Sequence, residues 1–325
     1  MKYMNKIKLK NILRYKTTSS FIMFFAISFF FYFTANGFFS VRNLSNLIEV
    51  VPELGLIVVG MTVLLIAGEF DLSVGSIFAF CPILLAFVIN NLGTNLWISI
   101  ALVILVSCLI GAINGIVTLK LQIPSFVTTL GGMMLYRGLG LMLTGGTPPA
   151  FPQKLIPLKE IMTSKTGPFI NLFIFYVVVV AIIWLVLERS RYGNWIFATG
   201  ADKEIAQMRG IDITKVKFAS FVLASVLAGI AGIIQACRLY TILPTAGTGY
   251  ELDAIAGAVI GGTSLRGGEG DLVGAFIGAF VIRSIGSGLV LMGAPGYYIR
   301  IFVSLVLVFA VVFQIFIKNK IYRMR

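Results

Sequence analysis

Apolar runs of roughly membrane-crossing length succeed one another along the chain, separated by short polar links. They fall at about 21–39, 47–67, 73–90, 96–118, 124–143, 170–187, 217–237, 252–265, 271–292 and 297–317. Two longer polar stretches interrupt the series. Residues 145–169 carry Pro148, Pro149, Pro152, Pro157 and Pro168, which argue against a regular helix there. Residues 188–216 mix both signs of charge. The run at 252–265 is short and Gly-rich for a full crossing, and the sequence leaves open whether it crosses or is a half-helix. The expected fold is therefore all-α: a polytopic membrane protein of 8–10 transmembrane helices with broken or re-entrant segments.

Composition agrees. The chain of 325 residues is 58% hydrophobic and 12% charged, too apolar for a water-facing surface of that size. The net charge of +13 is placed at the ends of apolar runs, as in the positive-inside pattern, rather than along a nucleic-acid groove. Lys2, Lys6, Lys8, Lys10, Arg14 and Lys16 precede the first run, six more bases lie between Arg189 and Lys217, and Lys318, Lys320, Arg323 and Arg325 close the chain. This division predicts a basic cytoplasmic segment at 1–20, a membrane domain at 21–317 with a cytoplasmic loop at 188–216, and a basic cytoplasmic tail at 318–325. The run from Phe21 to Phe33 is read as an uncleaved first span, since no small-residue cleavage site follows it. With no histidine, the commonest metal ligand and general base is missing. Cys81, Cys108 and Cys237 all sit in apolar runs and read as packed hydrophobes.

Two segments repeat. GEFDLSVGSIFAF at 68–80 and GEGDLVGAFIGAF at 268–280 share a Gly-Glu-x-Asp-Leu core, which suggests an internal duplication. An inverted repeat would set the copies on opposite sides of the membrane, whereas the ten-span count sets them on the same side. Glu69 and Asp71, beside Gly68, Ser73 and Gly75, predict a break at membrane depth that lines or gates a solute path. A plainer role is equally open, in which Asp71 or Ser73 caps the following helix. Glu269 and Asp271 hold the same place in the second copy, where Arg266 is within pairing range. Asn114 and Gln122 are candidate hydroxyl partners on that path, although packing between helices explains such residues more simply. Arg137 and Arg283 read as interfacial, snorkelling to headgroups. No Lys-Ser/Thr follows a glycine loop, so any ATP must bind a separate subunit.

In the 188–216 loop, Asp202 is placed to cap a short helix over Lys203–Arg209 that Gly210 stops. Ala206 and Met208 would offer a small apolar face, with Glu204 beside it, for docking into a partner's groove. Glu204-Ile205-Ala206 with Gly210 four residues on resembles the Glu-Ala-Ala…Gly coupling motif of permeases in ATP-binding-cassette importers. GEFDLSVGS, YGNWIFATGADKEIAQMRGIDITKVK and AIAGAVIGGTSLRGGEGDLVGAFIGAF resemble, in order and spacing, segments of the monosaccharide permease family that imports ribose, xylose, arabinose, galactose and related solutes. Glu69 departs from that family's frequent second glycine, and Glu269-Gly270-Asp271 is more acidic than usual.

The resemblance implies an inner-membrane permease subunit with cytoplasmic termini, working beside a second identical or paralogous permease chain. It further implies a cytoplasmic ATPase engaging Asp202, Glu204, Ala206 and Gly210, an extracytoplasmic solute-binding protein, and no cofactor on this chain. A stand-alone secondary transporter is the rival reading. An intramembrane aspartyl protease built on Asp271 and Asp71 is a remote one, since no Tyr-Asp pair occurs in the sequence.

Overall fold

A computed structural model describes residues 18–166 and 169–322. The basic residues up to Lys16, Pro168 and the final Arg323–Arg325 lie outside them, so most of the proposed N-terminal segment and the end of the tail are not addressed. Thirteen α-helices make up the described part: α1 Thr18–Thr34, α2 Val41–Ile66, α3 Val74–Leu92, α4 Leu96–Lys120, α5 Ser125–Thr144, α6 Ile156–Thr163, α7 Asn171–Arg189, α8 Arg191–Ala201, α9 Lys203–Met208, α10 Ile213–Leu239, α11 Tyr250–Ile260, α12 Leu272–Leu291 and α13 Tyr297–Tyr322. Seven of these (α2, α3, α4, α5, α7, α10 and α12) are long and apolar enough to cross a membrane, and α1 and the apolar part of α13 flank them. The chain is thus an all-α polytopic membrane protein.

The apolar runs and the helices coincide to within a few residues because each link carries a stop or a start. Ser40 caps α2 by accepting from Asn43 N, Asn95 caps α4 by accepting from Trp97 N, and Gly93 and Gly145 leave α3 and α5 in the left-handed region. The proline-rich stretch differs from expectation. It holds a short helix, α6, because Pro157 sits in the first turn, where its missing N–H costs nothing. A two-residue strand pair, Lys165–Thr166 with Phe169–Ile170, then leads into α7.

Helices α2, α3 and α10 form the centre, and α4, α5, α7 and α12 pack around them. Helix α2 is buried on all sides from Val51 to Ile66. By contrast α4, α5 and α7 turn leucine, valine and isoleucine outward, for example Leu102, Leu105 and Leu109, as helices facing lipid do. The segment 252–265 is a half-helix: α11 has only 11 residues. The chain reaches it through turns at 240–249, so irregular backbone precedes the half-helix.

Candidate junction and polar network

The first break follows α2. Gly68 at φ +83° reverses the chain, with its amide on Leu65 O and that of Glu69 on Leu64 O. Glu69 accepts from Lys217 Nζ at 2.6 Å. This lysine is 2% exposed, one turn inside α10, and ties the break to the helix that follows the 188–216 loop.

Asp71 is fully buried and organises a network. Its Oδ1 accepts from the Ser73 amide at 2.7 Å and the Ser73 hydroxyl at 2.6 Å, while Oδ2 accepts from Asn114 Nδ2 at 3.0 Å. Asn114 also donates to Ser73 Oγ at 2.9 Å and accepts from Tyr136 OH at 3.2 Å. The Leu72 amide donates to Thr129 Oγ1 at 3.0 Å. The carboxylate is thus bonded within its own break and to α4, and through Asn114 it is linked to α5, with no cation among its hydrogen-bond partners. Such a group is tolerated in a dry interior only when its lone pairs are filled, as here. Gly132 makes the room: a Cβ there would lie 3.2 Å from Asn114 Oδ1 and 3.0 Å from the Tyr136 ring.

The second break follows α11. Gly262, Gly267 and Gly268 all have positive φ, and the Ser264 amide closes the turn on Glu269 O at 2.9 Å. Asp271 accepts from the amides of Val273 at 3.3 Å and Gly274 at 2.9 Å, capping α12. The two breaks touch. Gly268 N donates to Ile66 O at 2.8 Å, and a Cβ on Gly267 would stand 3.0 Å from Gly68 Cα. The copies thus share one side of the molecule, as the ten-span count required. Neither carboxylate bonds the other, so the paired-aspartate geometry of an aspartyl protease is not formed.

The 188–216 loop folds against this junction. Ser190 caps α8 through Gly193 N, and Asp202 caps α9 by accepting from Ile205 N at 3.0 Å. Gly210 at φ +78° ends the short helix in open space. Near the end of α8, Gly200 is wedged between the breaks, where a Cβ would fall 1.8 Å from Ile66 O and 2.6 Å from Gly268 N. Asp212 caps α10; the Lys215 amide, and next its ammonium at 3.0 Å, hold the Asp212 carboxyl below the usual carboxylate range.

Several expectations need correcting. Ala206 is 1% exposed, because the chain turns at Gly210 and Ile211 N bonds back to Ala206 O. The exposed apolar face of α9 is instead Ile205 and Met208, with Glu204 beside them. Gln122 is exposed in the α4–α5 link at φ +56° and joins no part of the Asp71 network. Glu269 is exposed at the tip of the second break. Arg137 and Arg283 do not reach for headgroups. Arg137 donates to the carbonyls of Pro244 at 2.9 Å, Ala246 at 2.7 Å and Gly75 at 3.1 Å. Arg283 donates to Tyr250 OH at 2.9 Å and lies over that ring. Glu53 is buried mid-helix with Arg238 and Gln235 upon it. Lys217 and Gly200 were missed altogether; a lysine one turn inside an apolar run was the available signal for the first.

The profile of the family described as "Branched-chain amino acid transport system / permease component" matches residues 43–311. The ribose import permease protein RbsC of Escherichia coli K12 is 34% identical over 278 residues, covering 85% of this chain and 86% of that protein. The xylose/arabinose import permease protein XylH of Sulfolobus acidocaldarius is 30% identical over 325 residues, 97% of this chain and 89% of that protein. The autoinducer 2 import system permease protein LsrC of Photorhabdus luminescens is 33% identical over 278 residues, 85% and 83%. No solved structure matches the chain.

Proposed function

We propose that this chain, which belongs to the permease-component family of monosaccharide-type ATP-binding-cassette importers, forms the translocation pathway for a sugar or sugar-like solute. It is a transport subunit of a multi-pass membrane assembly, not an enzyme. Its partners in this reading are a cytoplasmic ATP-binding subunit, a second copy or paralogue of the chain, and an extracytoplasmic solute-binding protein. ATP binds only the first of these. The loop at 188–216 and both termini face the cytoplasm.

One observation carries the mechanism: Gly200 touches both breaks at once. The ATP-binding subunit takes hold of α9 through Ile205, Met208 and Glu204. Helix α8 continues directly into α9 at Asp202, so a push on α9 arrives at Gly200 and bears on Ile66 and Gly268 together. Lys217 and Glu69 return the same displacement to α10. The backbone there is hinged by Gly68, Gly267 and Gly268 and has low resistance to a change of φ. The Asp71 network then holds α3, α4 and α5 as one block that moves with the first break. Translating the push into an opening needs no chemistry on this chain.

The test is uptake of labelled ribose, xylose and arabinose into cells carrying the whole importer. Replacing Glu204 with Lys, or Gly210 with Pro, is expected to abolish uptake while membrane insertion stays normal. Uptake that survives both changes and collapses instead with a proton uncoupler would make the chain a secondary transporter.

A further inference from the structure

We infer that a polar face at mid-depth, beside the re-entrant segment, is the station at which a neutral, hydroxyl-rich solute is held in transit; this deepens the pathway reading above and rests on it. Helices α11 and α12 run side by side away from the second break. A Cβ on Gly274 would lie 1.9 Å from Gly261 O, and one on Gly278 would lie 2.0 Å from Gly257 O. The next rungs of this ladder bring Tyr250 to Arg283, joined at 2.9 Å. Arg283 is thus about 17 Å along α12 from its inner end at 1.5 Å per residue, roughly half the hydrocarbon thickness.

At that level lie Glu53, Gln235, Arg238, Tyr250, Asp253 and Arg283. Glu53 is fully buried, while Arg238, at 19% side-chain exposure, Gln235, Tyr250 and Asp253 reach the surface of the chain. Charged groups that surface at this depth do not face lipid; they face water or protein. The approach at 240–249 has irregular backbone, which is likewise tolerated only where it is buried or lines a cavity. The outward side of α4 at comparable depth is uniformly apolar, with Leu105 and Leu109. The two faces therefore meet different surroundings.

The chemistry of the face selects its occupant. Glu53, Glu251 and Asp253 accept, Arg238, Arg283 and Arg300 donate, and Gln235 does both, so acids and bases are interspersed and neither sign prevails. Arg283 Nε is buried without a hydrogen-bond partner among the described residues, so this guanidinium has donor capacity that its neighbours leave unfilled. A polyol, whose every hydroxyl both donates and accepts, satisfies such a mixed set.

The experiment uses the whole importer in a background with Cys81, Cys108 and Cys237 replaced by Ala. A membrane-impermeant, positively charged methanethiosulfonate is added from either side to Asp253→Cys, with Leu105→Cys as the lipid-facing control. Asp253→Cys is expected to react and Leu105→Cys to stay inert; Gln235→Cys repeats the test from α10 should Asp253→Cys fail to insert. In uptake, Gln235→Ala is expected to raise the apparent KM for whichever of ribose, xylose or arabinose the parent imports by about tenfold, the equivalent of one lost hydrogen bond. Inert cysteines at both 253 and 235, or an unchanged KM, would overturn the station. If the parent imports none of the three sugars, the labelling result alone decides whether the face is wet.

Discussion

The two copies of Gly-Glu-x-Asp-Leu make nearly the same turn and hold it by different means. In the second, Asp271 spends its oxygens on the first amides of its own helix, a local cap. In the first, Asp71 also accepts from Ser73 just ahead of its helix, but its other oxygen reaches Asn114, 43 residues away, and through it Tyr136. The glutamates diverge as well, since Glu69 is largely buried on Lys217 while Glu269 stands exposed at the tip. A motif can fix where the backbone reverses without fixing what the reversal is attached to. One break is anchored in the bundle; the other is clamped against it through Gly268 and Ile66.

The greatest disturbance is expected where the breaks are joined. Gly200→Leu would drive a side chain into the Ile66 carbonyl and the Gly268 amide, and both are backbone that cannot step aside. Uptake should be lost entirely; if Gly200→Leu transports normally, the breaks do not move as a pair.

Next come the aspartates. Asp71→Ala leaves the Asn114 amide and the Ser73 hydroxyl short of partners in a dry site, a cost of about 2–3 kcal/mol. Asp271→Ala removes one helix cap, about 1 kcal/mol. Thermal unfolding in mild detergent should rank them in that order, and equal losses would erase the distinction between anchor and cap. Lys217→Met strands Glu69, at a cost of about 2 kcal/mol because the carboxylate keeps some contact with solvent. Adding Glu69→Gln to Lys217→Met should recover most of that loss in a double-mutant cycle. The smallest effect belongs to Asp212. Its carboxyl lies below the ordinary carboxylate range in the folded chain, so its cap is fully present above the unfolded value and is lost as pH falls through the lower folded one. Asp212→Asn should therefore leave uptake at pH 7 unchanged but lower stability slightly at neutral pH, and the difference from the parent should vanish in acid, where the parent's own carboxylate is protonated.

Much of the architecture could be read along the chain because helix ends are local events. Apolar run length gave the spans, Asp202 and Gly210 bounded α9, and Gly68 marked the first break. The shortness of the Gly-rich run set it apart from the full spans, but only the fold decided for the half-helix α11. Side-chain partners were hidden for the opposite reason. Lys217 and Glu69 are 148 residues apart, and nothing in a single sequence pairs them. Ala206 was misread because its burial depends on the chain doubling back after Gly210. Arg137 and Arg283 were misread because snorkelling is the default for a lone arginine in an apolar helix, and only the fold reveals carbonyls and a tyrosine within reach.

The clamp that Arg137 places on the re-entrant segment has a consequence for how the protein is made. Its carbonyl partners at Pro244 and Ala246 lie 107 and 109 residues downstream, so the ribosome reaches them roughly 5–20 s after α5 emerges. During that interval a guanidinium meant for the interior has only one of its three native carbonyl partners, Gly75 O, in the chain already made. Helix α5 must wait at the translocon, or at the bilayer edge, until the later half of the chain arrives to receive it. Biogenesis of this subunit is in that respect a timed assembly, in which the order of synthesis and the order of burial differ.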